Sequence, residues 1–466
     1  MPQAPRPVDP TQDPHPGSER VAAHLLAALP PPPRRTDSHR NVPAPSEDRL
    51  EPVDWAASGA MALTGPAAGP PRLAPAAFAR VCRGAAHALD TVAFRPGPLL
   101  PDPPALLGER AAFADLERGG KRAPGGACRI LRAADGWLAL NLARAADFEL
   151  LPAWLETGGS GDAWGTVAAA LPQRAVATWV ERGRLIGLPV APVQPPPDAV
   201  PAWVRVSRVG PRLLPPTPRA PRVVDFSGLW AGPLATHFLG VAGADVVKVE
   251  SRVRPDGARR GPTGFFDLLN AGKRCVSIDP LRDQRVLLRL LDWADLVVEA
   301  SRPRALAHWG IDAEAWLRQR PGRNWLTISG YGRREPFAQW VAFGDDATAA
   351  AGLPWAMSPD SPIFCGDALA DPLAGLLGAV AALGAHRSGG GLLLDLSLRD
   401  VVAHTLTAYP ASRRAARIEA SGKGGFEVHA GKFRQAVLAP RARTAAQAAP
   451  ELGAHDREWH AERGPF

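Results

Sequence analysis

Residues 222–279 read RVVDFSGLWAGPLATHFLGVAGADVVKVESRVRPDGARRGPTGFFDLLNAGKRCVSID, and this stretch decides the fold. Val223 to Phe226 is a short β-branched run, Leu234 to Val241 carries apolar residues at helical spacing, and Asp245 to Glu250 is a second buried-strand run. Strand, helix and strand within about thirty residues make a βαβ unit, so its two strands are expected to lie parallel with a right-handed crossover. The first strand runs into Gly232-Pro233, where a turn opens onto a helix N-terminus. Unpaired N–H groups and the positive end of the helix dipole suit such a turn to a phosphate or a carboxylate.

Working outward, strands are expected at Cys275 to Ile278, Leu296 to Glu299 and Trp325 to Ser329, with a helix over Leu281 to Trp293 and another near Ala313 to Arg318. Alternation of this kind predicts an α/β, doubly wound parallel (Rossmann-like) sheet. An alanine-rich helix over Asp371 to His386 and a strand over Leu392 to Leu396 extend it. A second, smaller α+β domain is expected before the sheet. There a glycine loop from Gly119 to Gly126 precedes two strands that turn at Asp135-Gly136, followed by helices. The expected division is a Pro-rich disordered tail over 1–50, the small domain over 51–195, a Pro-rich linker over 196–221, the Rossmann-like domain over 222–405 and a closing segment over 406–466. Residues 55–89 also echo 347–386, and setting Gly84 against Gly378 places Ala77 where Asp371 stands, as in a degenerate internal duplicate.

Composition narrows the function. The net charge of +8 would suit nucleic acid, but the arginines are scattered, only 2 tyrosines occur and no basic run is interleaved with aromatics, so no nucleic-acid partner is expected. A basic chain equally suits a substrate that carries several phosphates. Cys82, Cys128, Cys275 and Cys365 lie far apart without a CxxC, which points to reduced thiols and no metal site. No apolar run reaches the ~18 residues that span a bilayer, and the N-terminus lacks the order of a signal peptide, so a cytoplasmic protein is expected.

The motifs FSGLWAGPLATHFLGVAGADVVKVE, NAGKRCVSID, ADLVVEASRP, ISGYG and GDALADPLAG occur in the order and at the spacing that resemble the class III coenzyme A transferases, the family of formyl-CoA and carnitine CoA transferases. On residue pattern alone, Asp371 before Pro372 suits a helix N-cap. The resemblance instead implies that it is the nucleophile of a CoA transferase, with Asp367 the competing candidate. It further implies that Trp230 and Ala231 line the thiol end of CoA and that Lys273 lies near the phosphates. One of Arg252, Arg254 and Arg259 would face the nucleotide. Gly125 and Gly126 would belong to a flap that closes over the site. CoA or acyl-CoA would be a substrate, with no tightly bound cofactor, a carboxylic acid would be the second reactant, and the family implies a homodimer. In the family the small domain follows the catalytic aspartate, whereas here it precedes the nucleotide-binding half. Ala300-Ser301 and His308 also depart from relatives that carry Asn-Phe and Arg. Two other readings remain at this point, an acyl-CoA racemase and a non-catalytic CoA-binding subunit. The racemases resemble this fold but carry a histidine in a GHD segment, where this chain reads Gly344-Asp345-Asp346.

Overall fold

The computed structural model describes residues 17–31, 51–157, 161–214, 219–300, 303–411, 416–422 and 424–460. Thirteen strands are found among them. β1 (Cys128–Arg132), β2 (Trp137–Asn141) and β3 (Val190–Val193) form a small antiparallel sheet. β4 (Arg205–Arg208), β5 (Arg222–Asp225), β6 (Asp245–Ser251), β7 (Arg274–Ile278), β8 (Leu296–Glu299), β9 (Asn324–Ser329) and β10 (Leu392–Ser397) form the main sheet in the order β4-β10-β9-β8-β5-β6-β7. β11 (Arg417–Ser421), β12 (Gly425–Ala430) and β13 (Phe433–Ala436) form a third sheet.

Six main-sheet strands are parallel and β4 runs antiparallel on the edge. Their sequences are largely apolar because both faces are covered, as parallel sheets require. Val223, Val246, Leu296, Val298, Leu326, Ile328, Leu392 and Leu394 point into one core, while Val224, Val247, Val249, Val276, Val297, Trp325 and Leu393 point into the other. The chain leaves β5 toward β6 and β7, then returns to build β8, β9 and β10 on the other side. The switch point therefore lies between β5 and β8, where a crevice opens beyond the carboxyl ends of the strands.

The expected domain boundaries need correction. The segment 51–195 divides: helices Glu51–Ala57 and Phe78–Val92 share a core with the main sheet, residues of 133–190 build a separate core around Trp154 and Trp179, and Cys128, Ile130, Ala139 and Ala191 pack with Tyr331, Ala349 and Phe364. Periodicity shows that a helix has an apolar face but not which sheet will cover it. Within the expected tail, Ser18–Ala27 forms a helix that buries Val21 and Leu25 against Phe78–Val92, and Gly84 allows that approach, since a Cβ there would lie 3.0 Å from the Ser18 carbonyl. The remaining tail, 1–16 and 32–50, lies outside the described residues. Part of the expected linker is β4, whose Arg205–Arg208 pairs with Leu392–Asp395. The helix expected from Asp371 spans Ala370–Arg387 and packs beside both Phe78–Val92 and Ala231–Val241.

Candidate functional site

The turn after β5 is braced from below by buried charge. At the end of the strand, the Asp225 carboxylate accepts from the Ser227 N–H at 2.9 Å, from the Ser227 hydroxyl, from Thr236 Oγ1 at 2.5 Å and from Lys273 Nζ at 3.1 Å. Lys248 Nζ donates to the Ser227 carbonyl at 3.0 Å and to Asp256 Oδ2 at 2.9 Å. Asp256 Oδ1 in turn accepts from the Leu229 N–H at 2.9 Å. These bonds hold Leu229 in a left-handed conformation, φ 67°, which a branched side chain rarely adopts without support. The turn then delivers Trp230 and Ala231 to the start of the helix Ala231–Val241.

Asp371 lies opposite that turn, half-buried, as the second residue of its helix. It is not the cap: Leu369 holds the N-cap position and no side chain there accepts from the helix. The Ala231 N–H instead faces the Asp371 carboxylate and favours its ionised form. Two glycines make the approach possible. A Cβ on Gly375 would sit 2.9 Å from the Ala231 carbonyl, and a Cβ on Gly344 would overlap Asp371 Oδ2.

Two further acids, Asp345 and Asp367, act on this carboxylate, and Asp346 follows Asp345 in the chain. Asp345 Oδ1 accepts from the Ala368 N–H at 3.0 Å, and Asp346 Oδ1 accepts from Asn141 Nδ2 and the Phe343 N–H, both at 2.9 Å. Asp367 is held on both oxygens by Arg110, with Nε on Oδ2 at 2.8 Å and Nη2 on Oδ1. Burial raises the Asp371 pKa to about 7, the Arg110 guanidinium opposes the rise, and the charges of Asp345 and Asp367 add to it. Burial also pushes Asp346 up to about 7 and raises Asp345, the latter helped by the Asp367 charge. Arg110 itself lies over the Trp230 ring at 5.1 Å, and Phe265 meets the same indole edge-to-face at 5.4 Å.

The expected flap residues lie against this arginine. A Cβ on Gly125 would stand 3.0 Å from Arg110 Nη2, and Gly126 has φ 81°. The other end of the loop is anchored, because the Gly120 N–H donates to the Gly65 carbonyl at 3.1 Å and the Gly120 carbonyl accepts from Phe364 N–H at 2.8 Å. Ala300 borders the turn as well, 3.4 Å from a Cβ built on Gly232.

The structure thus brings Asp371, Trp230, Ala231 and the Gly125-Gly126 loop together, and leaves the expected phosphate ligands apart. Lys273 is a correction: its ammonium is buried and shared among Asp225, the Pro233 carbonyl at 2.9 Å, Thr236 at 2.8 Å and Asn270 at 3.0 Å, so no donor remains for a phosphate. Among the three arginines, Arg259 is paired with Glu250 at 2.7 Å and Arg252 with Asp283 at 2.8 Å. Arg254 is exposed and, among the described residues, has no ion-pair partner. His308 is exposed on the helix Pro303–His308. Sequence reasoning missed Arg110, Asn141 and the acid pair Asp345 and Asp346. Only the last carried a signal, the paired acids after Gly344.

Residues 221–438 match the model described as CoA-transferase family III. The succinyl-CoA–L-malate CoA-transferase alpha subunit of Chloroflexus aurantiacus is 32% identical over 234 residues, covering 46% of this chain and 54% of that protein. The succinate–glutarate CoA-transferase of Agrobacterium fabrum is 30% identical over 201 residues, covering 39% and 50%. The formyl-CoA:oxalate CoA-transferase of Escherichia coli is 29% identical over 197 residues, covering 39% and 47%. The chain therefore spans about half the length of the curated relatives it matches. A solved CaiB/BaiF family protein from Brucella suis is 25% identical with a TM-score of 0.39, covering 45% of this chain and 64% of that one. Over 221–438, the stretch that holds most of the main sheet, the turn at 226–231 and the helix that carries Asp371, the chain is similar to CoA-transferase family III.

Proposed function

We propose that the chain transfers CoA between an acyl-CoA thioester and a carboxylic acid through an aspartyl-CoA thioester on Asp371. The observation that carries this reading is a half-buried carboxylate facing the N–H of a helix-opening turn at the switch point of the sheet. Of the two candidate acids, Asp367 has both oxygens engaged by Arg110, while Asp371 keeps partial access to solvent.

In the first step an Asp371 oxygen attacks the donor thioester carbonyl, a C–O bond forms, the C–S bond breaks, and CoA leaves as a thiolate from a mixed anhydride. The thiolate then attacks the aspartyl carbonyl, which releases the donor carboxylate and leaves aspartyl-CoA. The acceptor carboxylate attacks that thioester and expels the thiolate again. Finally the thiolate takes the acceptor acyl group and frees Asp371. No net proton is gained or lost, and the thioester's energy is conserved throughout. Each addition builds an oxyanion, for which the Ala231 N–H at its helix N-terminus is placed as a donor, an effect commonly of about 3–4 kcal/mol. Closure by the Gly125-Gly126 loop over Arg110 would exclude the water that otherwise hydrolyses these intermediates.

The homodimer implied by the family belongs to this reading. A cytoplasmic location belongs to it as well; no helix among the described residues is long and apolar enough to cross a membrane. The test is incubation with succinyl-CoA followed by hydroxylamine or borohydride and mass spectrometry. The peptide containing Asp371 should carry the hydroxamate or the reduced side chain, and Asp371→Asn should abolish both this and exchange of labelled succinate. Labelling of Asp367 instead, or α-proton exchange without acid exchange, would defeat the assignment.

A further inference from the structure

The turn at 226–231 is joined to the loop at 252–260 by one carboxylate. That loop carries Arg252, Arg254, Arg259 and Arg260 and a single acid, Asp256. Arg252 is paired with Asp283 and Arg259 with Glu250, whereas Arg254 and Arg260 are exposed and, among the described residues, have no ion-pair partner. Two unpaired guanidiniums on one short loop suit the phosphates of a nucleotide. Asp256, between them, is turned inward: its side chain and that of Lys248 are each 1% exposed. Asp256 Oδ2 accepts from Lys248 Nζ at 2.9 Å, while Oδ1 accepts both from the Ala258 N–H of its own loop at 3.0 Å and from the Leu229 N–H of the turn at 2.9 Å. The Asp256 N–H donates in turn to Glu250 Oε2 at 2.9 Å, which anchors the base of the loop to the end of β6.

Loop and turn are in contact on both sides of this bond. A Cβ on Gly228 would stand 3.3 Å from Asp256 Oδ1, and a Cβ on Gly257 would stand 3.2 Å from Leu229 Cδ2. The bond also holds a residue with two available conformations. Leu229 sits at φ 67°, although a branched side chain favours negative φ, and its own side chain is 46% exposed, so packing alone does not pin it. Released from Asp256, Leu229 would relax to negative φ and rotate the peptides that follow it. The next residues are Trp230 and Ala231, whose backbone lies against the helix of Asp371 closely enough that a Cβ on Gly375 would stand 2.9 Å from the Ala231 carbonyl.

We propose that Asp256 is a positioning residue that links the two ends of an acyl-CoA: its carboxylate ties the arginine loop to Leu229, so that phosphates settled on Arg254 and Arg260 keep the turn left-handed and the Ala231 N–H aimed at the reacting carbonyl. Part of the nucleotide's binding energy then goes into holding the turn, which raises kcat rather than lowering KM. For its effect on rate this rests on the transferase reading; its effect on conformation is measurable without turnover.

The experiment compares wild type, Asp256→Ala and Asp256→Ala/Leu229→Gly in two readouts. The first is kcat for exchange of labelled succinate with succinyl-CoA and with succinyl-pantetheine, which keeps the thioester and lacks the nucleotide. Wild type should favour the CoA thioester by about 10²-fold in kcat, and D256A should lose that advantage with little change in the KM for succinyl-CoA. Adding L229G to D256A should raise kcat about 10-fold for both thioesters alike, because glycine adopts positive φ without a carboxylate to hold it. A merely structural role would not be rescued by a glycine, which loosens the chain. The second readout is hydrogen–deuterium exchange on addition of 3′-phospho-ADP. In wild type exchange should slow in both 252–260 and 226–231, and in D256A it should slow in 252–260 alone. Should D256A fail to fold because Lys248 is left buried without its anion, Lys248→Met/Asp256→Ala removes both charges and carries the same comparison. In a wild type that exchanges acid, equal kcat for the two thioesters, or a CoA advantage that persists in D256A, would overturn the proposal and leave the transferase reading in place. A turn that does not respond to 3′-phospho-ADP would overturn it as well. If wild type exchanges no acid while 3′-phospho-ADP still slows exchange in the turn through Asp256, the transferase reading falls and this inference stands.

Discussion

Gly344→Ala tests the geometry of the site most sharply, because it adds one methyl group and no charge. Built on the existing backbone, that methyl overlaps Asp371 Oδ2 and stands 2.6 Å from the Ala368 Cβ and 2.8 Å from the Ala368 carbonyl oxygen. Apolar carbons rest at about 3.5–4.0 Å, so the Ala368–Asp371 backbone must retreat by roughly 1 Å or the carboxyl must rotate off the turn. Ala368 already sits at φ 45°, in the left-handed region, and has little room to comply. Overpacking of this kind typically lowers stability by about 1–3 kcal/mol. A 1 Å displacement of a reacting group lowers rate by about 10²-fold. The assay is labelled-succinate exchange and hydroxylamine trapping at saturating succinyl-CoA, beside a thermal melt. We expect kcat and the trapping rate to fall together by about 10²-fold with KM little changed. In Asp371→Ala, the added cost of G344A in the melt should shrink, since one of the colliding groups is gone. Full-rate trapping in G344A, or an undiminished stability cost in the D371A background, would refute the placement of Asp371 against Gly344.

Lys273→Met strands the buried Asp225 carboxylate and should lower stability by about 3–5 kcal/mol, read as a fall in the denaturant midpoint; a variant with wild-type stability and weakened CoA binding would return Lys273 to the phosphates. Arg254→Gln should raise the KM for succinyl-CoA with no change in melting temperature, whereas Arg259→Gln should lower the melting temperature, because Glu250 loses its 2.7 Å partner. Asp346→Asn addresses a carboxyl whose folded pKa, about 7, exceeds its unfolded value, so the native state binds the proton more tightly and stability is lost as pH rises from about 4 through 7. The substitution should therefore raise the melting temperature at pH 8 and leave it unchanged near pH 4. The opposite sign is expected of Asp295, held down to about 2 by its arginines despite its burial, whose contribution is lost as pH falls from about 4 through 2. Asp295→Asn should accordingly destabilise at pH 7 and much less at pH 2.

The sequence by itself determined the parallel sheet, because β5, β6, β8 and β9 are short apolar runs separated by helical spacing, and that pattern is local. It also singled out Asp371 and the Trp230–Ala231 turn, through motifs each contained within a few residues. What it left open depends on contacts between distant segments. β4 reads as linker because four residues of mixed polarity become a strand only when β10 offers an edge. Lys273 is expected near the phosphates because its burial, set by Asp225 48 residues earlier in the chain, leaves no local mark. Arg110 carries no local mark at all, and only folding of the N-terminal half onto the sheet brings its charge to Asp367 and Trp230. Periodicity reports which face of an element avoids water, whereas the ionisation of a carboxylate is decided by which charges the tertiary fold places around it.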